Sequence, residues 1–219
     1  MKKIWKYRFY YYLALPGLIY FIIFHYVPMG GALIAFKDIS PFDGLRGFFD
    51  APWVGFKHFE RFTSSVYFLD VIENTLIISG LKILFGFPAP IILALLLNEV
   101  LRMSLKRIMQ TISYLPHFIS WVVTAGMITA LLATSGGLLT ETINDFTGSN
   151  INFLGNKDYF VGILVTSHVW KTIGWSSIIY LAAMSSIDPA LYESARIDGA
   201  NRLQMAWHIT LPSIMFVIV

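Results

Sequence analysis

Cysteine is absent from the 219 residues. That excludes a disulfide framework, a cysteine-built zinc site and thiol chemistry. Charge is scarce as well: 13% of residues are Asp, Glu, Lys or Arg, against about 25% in a soluble domain. There is no G-x-x-x-x-G-K-[ST] loop to cradle nucleotide phosphates. No internal repeat and no low-complexity tract is visible. What fills the space is apolar: 56% of residues are hydrophobic and mean hydropathy is +0.65. Much of this surface therefore has lipid as its solvent. The net charge of +3 comes from basic residues gathered in a few loops. That arrangement speaks for membrane orientation and against nucleic-acid binding.

Four stretches are long enough to cross a bilayer, which takes about 20 apolar residues in a helix. They are roughly 12–36, 71–97, 112–133 and 160–184, and a fifth apolar run starts at Pro212. Residues 1–219 thus read as a single all-α transmembrane domain. The first stretch is too long for a cleaved signal peptide and is expected to stay as a span. The fifth run is still going at Val219, so the chain is expected to be truncated at its C-terminus. Lys2, Lys3, Lys6 and Arg8 precede the first span. Arg102, Lys106 and Arg107 follow the second, and Arg196 and Arg202 follow the fourth. Alternate segments dilute their basic residues with Asp38, Asp43, Asp50 and Glu60. The positive-inside rule then places the N-terminus and segments 98–111 and 185–212 in the cytoplasm, with 37–70 and 134–159 outside.

The cytoplasmic segment 185–212 carries the most local information. Asp188 can cap a helix that has Pro189 in its first position. Gly199 offers a break that tolerates positive φ. A second helix is expected to end before Pro212. Apolar Ile197, Ala200, Leu203, Trp207 and Ile209 recur at partly helical spacing. The plain reading is an amphipathic interfacial hairpin; the sharper one is a docking element.

Glu193-Ser-Ala195, Asp198-Gly199-Ala200 and Ile209-Thr-Leu-Pro212 resemble, in order and spacing, the EAA loop of binding-protein-dependent ABC importer permeases. The departures are Ser194, where Ala is usual, and Ala206, where an aromatic is common and Trp207 stands beside it. Asn74-Thr-Leu, Leu95-Leu-Leu-Asn98 and Tyr114-Leu-Pro-His-Phe118 are similar to other parts of sugar-type permeases of the maltose group, and most like the branch serving oligosaccharides and polysaccharide fragments. The resemblance implies a multi-pass membrane helix bundle of the type I ABC importer permease kind. It implies a coupling helix seated in a cleft of a separate cytoplasmic ATPase, with Glu193 as the polar contact and Gly199 at the turn. Ala195 and Ala200 keep the contact surface flat, and Asp198, Leu203, Leu211 and Pro212 complete the loop. The implied partners are two ATPase copies, a second homologous permease, an extracytoplasmic solute-binding protein, a carbohydrate solute and the bilayer. This chain would be no enzyme and hold no cofactor. ATP would be bound and hydrolysed by the partner, and transport would run by alternating access in the cytoplasmic membrane.

Within the spans, Lys82 and Lys171 fall near the middle. An ionisable group there costs roughly 2.5–3.5 kcal/mol on insertion scales. Either they line the solute path or they snorkel to an interface. On the path reading, Lys171→Met impairs transport and leaves assembly intact. His117, Trp121, Trp170 and Trp175 are candidates to stack on or bond to sugar rings, against ordinary packing or belt roles. Pro28, Pro88, Pro90 and Pro116 kink or break helices. Two other classes were weighed. A membrane enzyme would need converging polar groups, whereas the five histidines are scattered. An ion-gradient-driven secondary transporter would need no ATPase-docking loop, and inverted repeats are not visible.

Overall fold

The computed structural model describes residues 5–40, 42 and 44–218. Lys2, Lys3 and Asp43 from the charge pattern lie outside the described residues. Among those described there is no strand, only an isolated antiparallel bridge between Lys37 and Trp53. Internal packing divides the chain into two units, Met1–Ile72 and Glu73–Val219.

The first unit begins with α1 (Arg8–Phe36), 29 residues with none buried along its most apolar window. An all-round apolar helix with no protein cover belongs in lipid or against another chain. A π turn at Ile22–Tyr26, closed by the Val27 N–H on Ile22 O, comes just before Pro28. The widened turn accommodates a residue that lacks an N–H and would clash with the carbonyl four back. After α1 the chain folds into short helices, α2 (Gly44–Asp50) and α3 (Lys57–Thr63). Lys37, 8% exposed, donates its ammonium to Phe48 O at 2.8 Å and Phe49 O at 3.1 Å. It thereby caps the C-terminal end of α2. Phe36, Phe56 and Phe59 pack ring against ring at 5.3–5.6 Å. Lys57 pairs with Asp38 at 2.8 Å, and that ammonium holds the Asp38 carboxyl below its ordinary range.

The second unit is built on a long helix. α4 (Phe68–Gly86), whose first residues lie in the first unit, passes through Phe87 into α5 (Pro88–Asn98), and the two run as one 31-residue helix. Pro88 and Pro90 sit in the first turn of α5, where a missing N–H costs little. α6 (Met103–Phe118) and α7 (Trp121–Leu132) follow, then α8 (Leu138–Thr147) and α9 (Lys157–Ser185). The chain ends in α10 (Pro189–Ile197), α11 (Arg202–Met205) and α12 (Met215–Ile218). α9 packs along α5 and α6. Its lower half joins Ala94, Ala183, Met184 and Ile214 in the core. Gly174 marks its crossing with α6: a Cβ there would fall 1.9 Å from Ser113 O, so the two backbones touch.

Three expectations need correcting. The stretch 112–133 is not one straight helix: α6 starts at Met103, and α6 and α7 meet at a bend of 100°. Pro116 weakens the last turn of α6, and Ile119 and Ser120 are extended. Of the four stretches expected to be long enough to cross, not all pass on length and apolarity together. By length and apolarity α1 and α4–α5 qualify as spans, and α6–α7 as a third if the bent pair is one. α9 matches 160–184 in extent and is long enough to cross, but it is less apolar. Its Lys171 and Ser177 are buried instead against protein carbonyls. Finally, the last helix does not stop before Pro212. α11 continues through a π turn (Ala206–Thr210) into Leu211–Ser213, the same device as at Pro28.

Candidate coupling site and intramembrane cluster

The segment after α9 forms the helical hairpin its residues suggest. Asp188 Oδ1 accepts the Ala190 N–H at 2.9 Å, and Pro189 occupies the first turn of α10. α10 ends in a complete Schellman motif. Gly199 stands at φ +81°, the Ala200 N–H reaches Ala195 O at 2.9 Å, and the Gly199 N–H reaches Arg196 O at 3.1 Å. Asp198, Gly199, Ala195 and Ala200 thus hold the turn itself, in line with their order in the sequence. Asn201 opens α11 with a capping box: its Oδ1 accepts the Gln204 N–H at 2.9 Å, and Gln204 Oε1 accepts the Asn201 N–H at 2.8 Å. The Asn-x-x-Gln pattern was a readable signal for it. One tie fixes the hairpin to α5 and another joins its arms. Arg202 pairs with Glu99 at the end of α5 at 3.1 Å, and Tyr192 Oη meets Thr210 Oγ1 at 2.9 Å between the two arms.

The side chains left over are the exposed ones. Glu193 is exposed and makes no ion pair among the described residues. Ile197, Leu203 and Trp207 are exposed at 87%, 77% and 67%. The nominated residues divide among three hollows. Glu193 and Ala200 line a groove of about 750 Å³ that also takes in Asn98 and Glu99. Ala195, Asp198, Gly199 and Ala200 line one of about 330 Å³. Leu203 and Leu211, with Trp207, line an apolar groove of about 630 Å³ against Ile91, Ile92, Leu95 and Leu96. Pro212 is exposed within the continued helix.

A second cluster forms at the bend. Lys171, 6% exposed, gives its three N–H donors to Pro116 O at 3.1 Å, His117 O at 3.1 Å and Ile119 O. Pro116 O also accepts the Ile119 N–H at 3.3 Å, and the ammonium adds a donor for the carbonyls at the end of α6. Ser120 Oγ, across the bend, accepts the Val123 N–H at 3.2 Å and caps α7. A buried lysine and a serine therefore terminate one helix and start the next. His117 stacks on Trp175 at 4.5 Å, and Trp121 lies parallel to His168 at 6.3 Å. Lys171 Nζ stands 5.2 Å from the Trp121 ring. Of the six residues nominated in the spans, His117, Trp121, Lys171 and Trp175 gather at this bend. Trp170 is exposed and makes none of these ring contacts; it is one step along α9 from Lys171, about 100° away around the helix. Lys82 is half-buried on α4. Gly86, one turn on, faces the His168 ring: a Cβ there would lie 3.7 Å from His168 Cδ2. His168 was not singled out by sequence. Its place three residues before Lys171, on the same face of α9, was the available sign.

The family described as binding-protein-dependent transport system inner membrane component matches residues 86–219. The chain belongs to that family. It is a membrane transport component of the ABC importer permease type and not an enzyme. Among its relatives is the polygalacturonan/rhamnogalacturonan transport system permease protein YteP of Bacillus subtilis (strain 168). The two are 48% identical over 99% of this chain and 67% of that protein. The chain thus spans about two thirds of that relative's length. Its fold matches a solved bacterial ABC transporter involved in the import of the acidic polysaccharide alginate. There the TM-score is 0.87 and identity 44%, over 99% of this chain and 71% of the other. A bacterial alginate ABC transporter in complex with alginate pentasaccharide-bound periplasmic protein matches with TM-score 0.86 and 43% identity, over 99% and 70%. Membership in this family sets aside the ion-gradient-driven alternative.

Proposed function

We propose that the chain is the transmembrane subunit of an ATP-driven importer that moves an oligosaccharide into the cell, with hydrolysis carried out by a separate ATPase docked on the α10–α11 hairpin. The observation that carries this reading is the hairpin's division of labour. Asp198, Gly199, Ala195 and Ala200 are spent on a rigid turn, and Glu193, Leu203 and Trp207 stand exposed beside three hollows. A rigid, capped element with a free carboxylate and exposed apolar side chains suits docking into a cleft. Because Arg202 ties it to Glu99 and α12 follows directly, a displacement of the hairpin would be passed to α5 and to the core around Ile214. The lack of a G-x-x-x-x-G-K-[ST] loop in this sequence supports binding and hydrolysis of ATP by a partner subunit.

The carbohydrate class is supported by the polygalacturonan/rhamnogalacturonan transport of YteP and by the two alginate transporters. A solute-binding protein partner is supported by the second of these, which contains a periplasmic protein. A second homologous permease completes the pathway. The basic residues flanking α1, α5 and α9 support a cell-membrane protein with its N-terminus and hairpin in the cytoplasm. The test is a pull-down from membranes expressing the full-length gene. An ATPase subunit should accompany the wild type and be lost from the Glu193→Lys, Gly199→Pro double variant, since Pro cannot adopt φ +81°. A wild type that retains no ATPase in several mild detergents would refute the reading.

A further inference from the structure

Two lysines, Lys82 and Lys171, lie near the middle of the long helices α4–α5 and α9, and they are not in the same chemical state. Lys171 has spent all three N–H donors on the carbonyls at the bend. Lys82 makes no hydrogen bond or ion pair among the described residues; the ion pairs there are Lys57–Asp38 and Arg202–Glu99. Nor can it escape to water at a helix end. It stands 14 residues from Phe68 and 16 from Asn98 in the continuous α4–α5 helix, about 21 and 24 Å along the axis. That exceeds what a four-carbon stem spans. The nearest acid on its own helix, Glu73, is nine residues away, about 13 Å. An unpaired cation at mid-span is retained where something anionic reaches it.

What stands beside Lys82 is an aromatic platform. Lys82 and Gly86 share a face of α4, and the absent side chain at Gly86 leaves room for the His168 ring, 3.7 Å from where a Cβ would be. His168 lies parallel to Trp121 within 4°, and Trp121 is 49% exposed. A flat aromatic face accepts the C–H face of a pyranose. An ammonium one helical turn away suits a carboxylate carried on the same ring.

We infer that Lys82, His168 and Trp121 form a subsite for an anionic sugar residue, a uronate, on the solute path. The inference rests on the carbohydrate-import reading above and narrows its substrate class. Lys82 supplies the charge-reading contact, Trp121 and His168 the stacking surface, and Gly86 the space. Lys171 is excluded from the role because its donors are occupied.

The test uses the full-length permease reconstituted in proteoliposomes with its ATPase, second permease and binding protein. The probes are trigalacturonate and its fully methyl-esterified, uncharged counterpart, and uptake is normalised to assembled complex. Trigalacturonate uptake should fall by about tenfold or more in Lys82→Met and be largely restored in Lys82→Arg, since one charge-assisted contact is lost and regained. Uptake of the ester should be the same in all three. Equal losses for acid and ester in Lys82→Met would mean a packing role and would overturn the subsite. So would an unchanged acid uptake in that variant, or an assembled, ATP-hydrolysing wild type that carries neither probe. Failure of the wild type to assemble with an ATPase would sink the importer reading instead, and the subsite with it.

Discussion

Replacing Lys171 with Met keeps the stem's length and removes the ammonium. Two carbonyls, those of His117 and Ile119, then lose this donor inside an apolar bend, while Pro116 O keeps the Ile119 N–H. Each buried acceptor left unsatisfied costs about 1–3 kcal/mol, and the lost contact with Trp121 about 1 kcal/mol more. Relief from desolvating the ammonium offsets part of this. The balance is a destabilisation of about 3 kcal/mol, in line with breaking other buried polar networks. At about 2–4 °C per kcal/mol for a chain of this size, the melting temperature should fall by about 6–12 °C. The assay is thermal denaturation of the purified full-length permease in mild detergent, followed by the fraction that stays monodisperse. Lys82→Met is the internal control, because Lys82 has no bond to lose and should melt close to wild type. A Lys171→Met protein melting within about 2 °C of wild type would refute the argument. So would a Lys82→Met protein destabilised as much as Lys171→Met.

Gly174→Ala drives a methyl to within 1.9 Å of Ser113 O, where backbone cannot yield without separating α6 from α9. It should cost about 3 kcal/mol or more, seen as a collapsed yield of monodisperse protein, while Gly162→Ala, with nothing within 4 Å, should be neutral. The Asp38–Lys57 pair supplies a pH dependence confined to the segment after α1. Because Lys57 lowers the Asp38 carboxyl in the fold, the pair's contribution is full above about pH 3.9 and is lost as pH falls through the lowered value. Protection factors of the amides near the pair, taken relative to intrinsic exchange rates at each pH, should therefore fall on acidification, and Lys57→Met should abolish that pH-dependent part.

Parts of the hairpin were legible because their causes are local. Asp188-Pro189 is a helix start, and Asp198-Gly199 a helix stop, through bonds made within five residues. The continuation through Pro212 was not legible. The rule that proline ends a helix is local too, but a π turn at Ala206–Thr210 evades it, with Thr210 and Ile214 buried in packing that holds the helix on course. The bend between α6 and α7 was missed for a related reason. The run 112–133 is apolar throughout, and apolarity alone cannot tell a straight span from a broken one. The residue that terminates α6 lies 52–55 positions away in α9.

Composition and charge placement determined by themselves that this chain is an all-helical membrane protein, because the bilayer's demand for apolar length acts on contiguous residues. The order of Asp188, Pro189, Asp198 and Gly199 likewise marked the helical hairpin, since its caps close over a single turn. Only the tertiary structure separated two mid-span lysines that look alike in the sequence. One is buried and spent as the cap of a distant helix. The other is unpaired beside a stacked histidine and tryptophan. Which carbonyls, rings or empty space a side chain meets depends on elements brought together across the fold, and no local pattern encodes that.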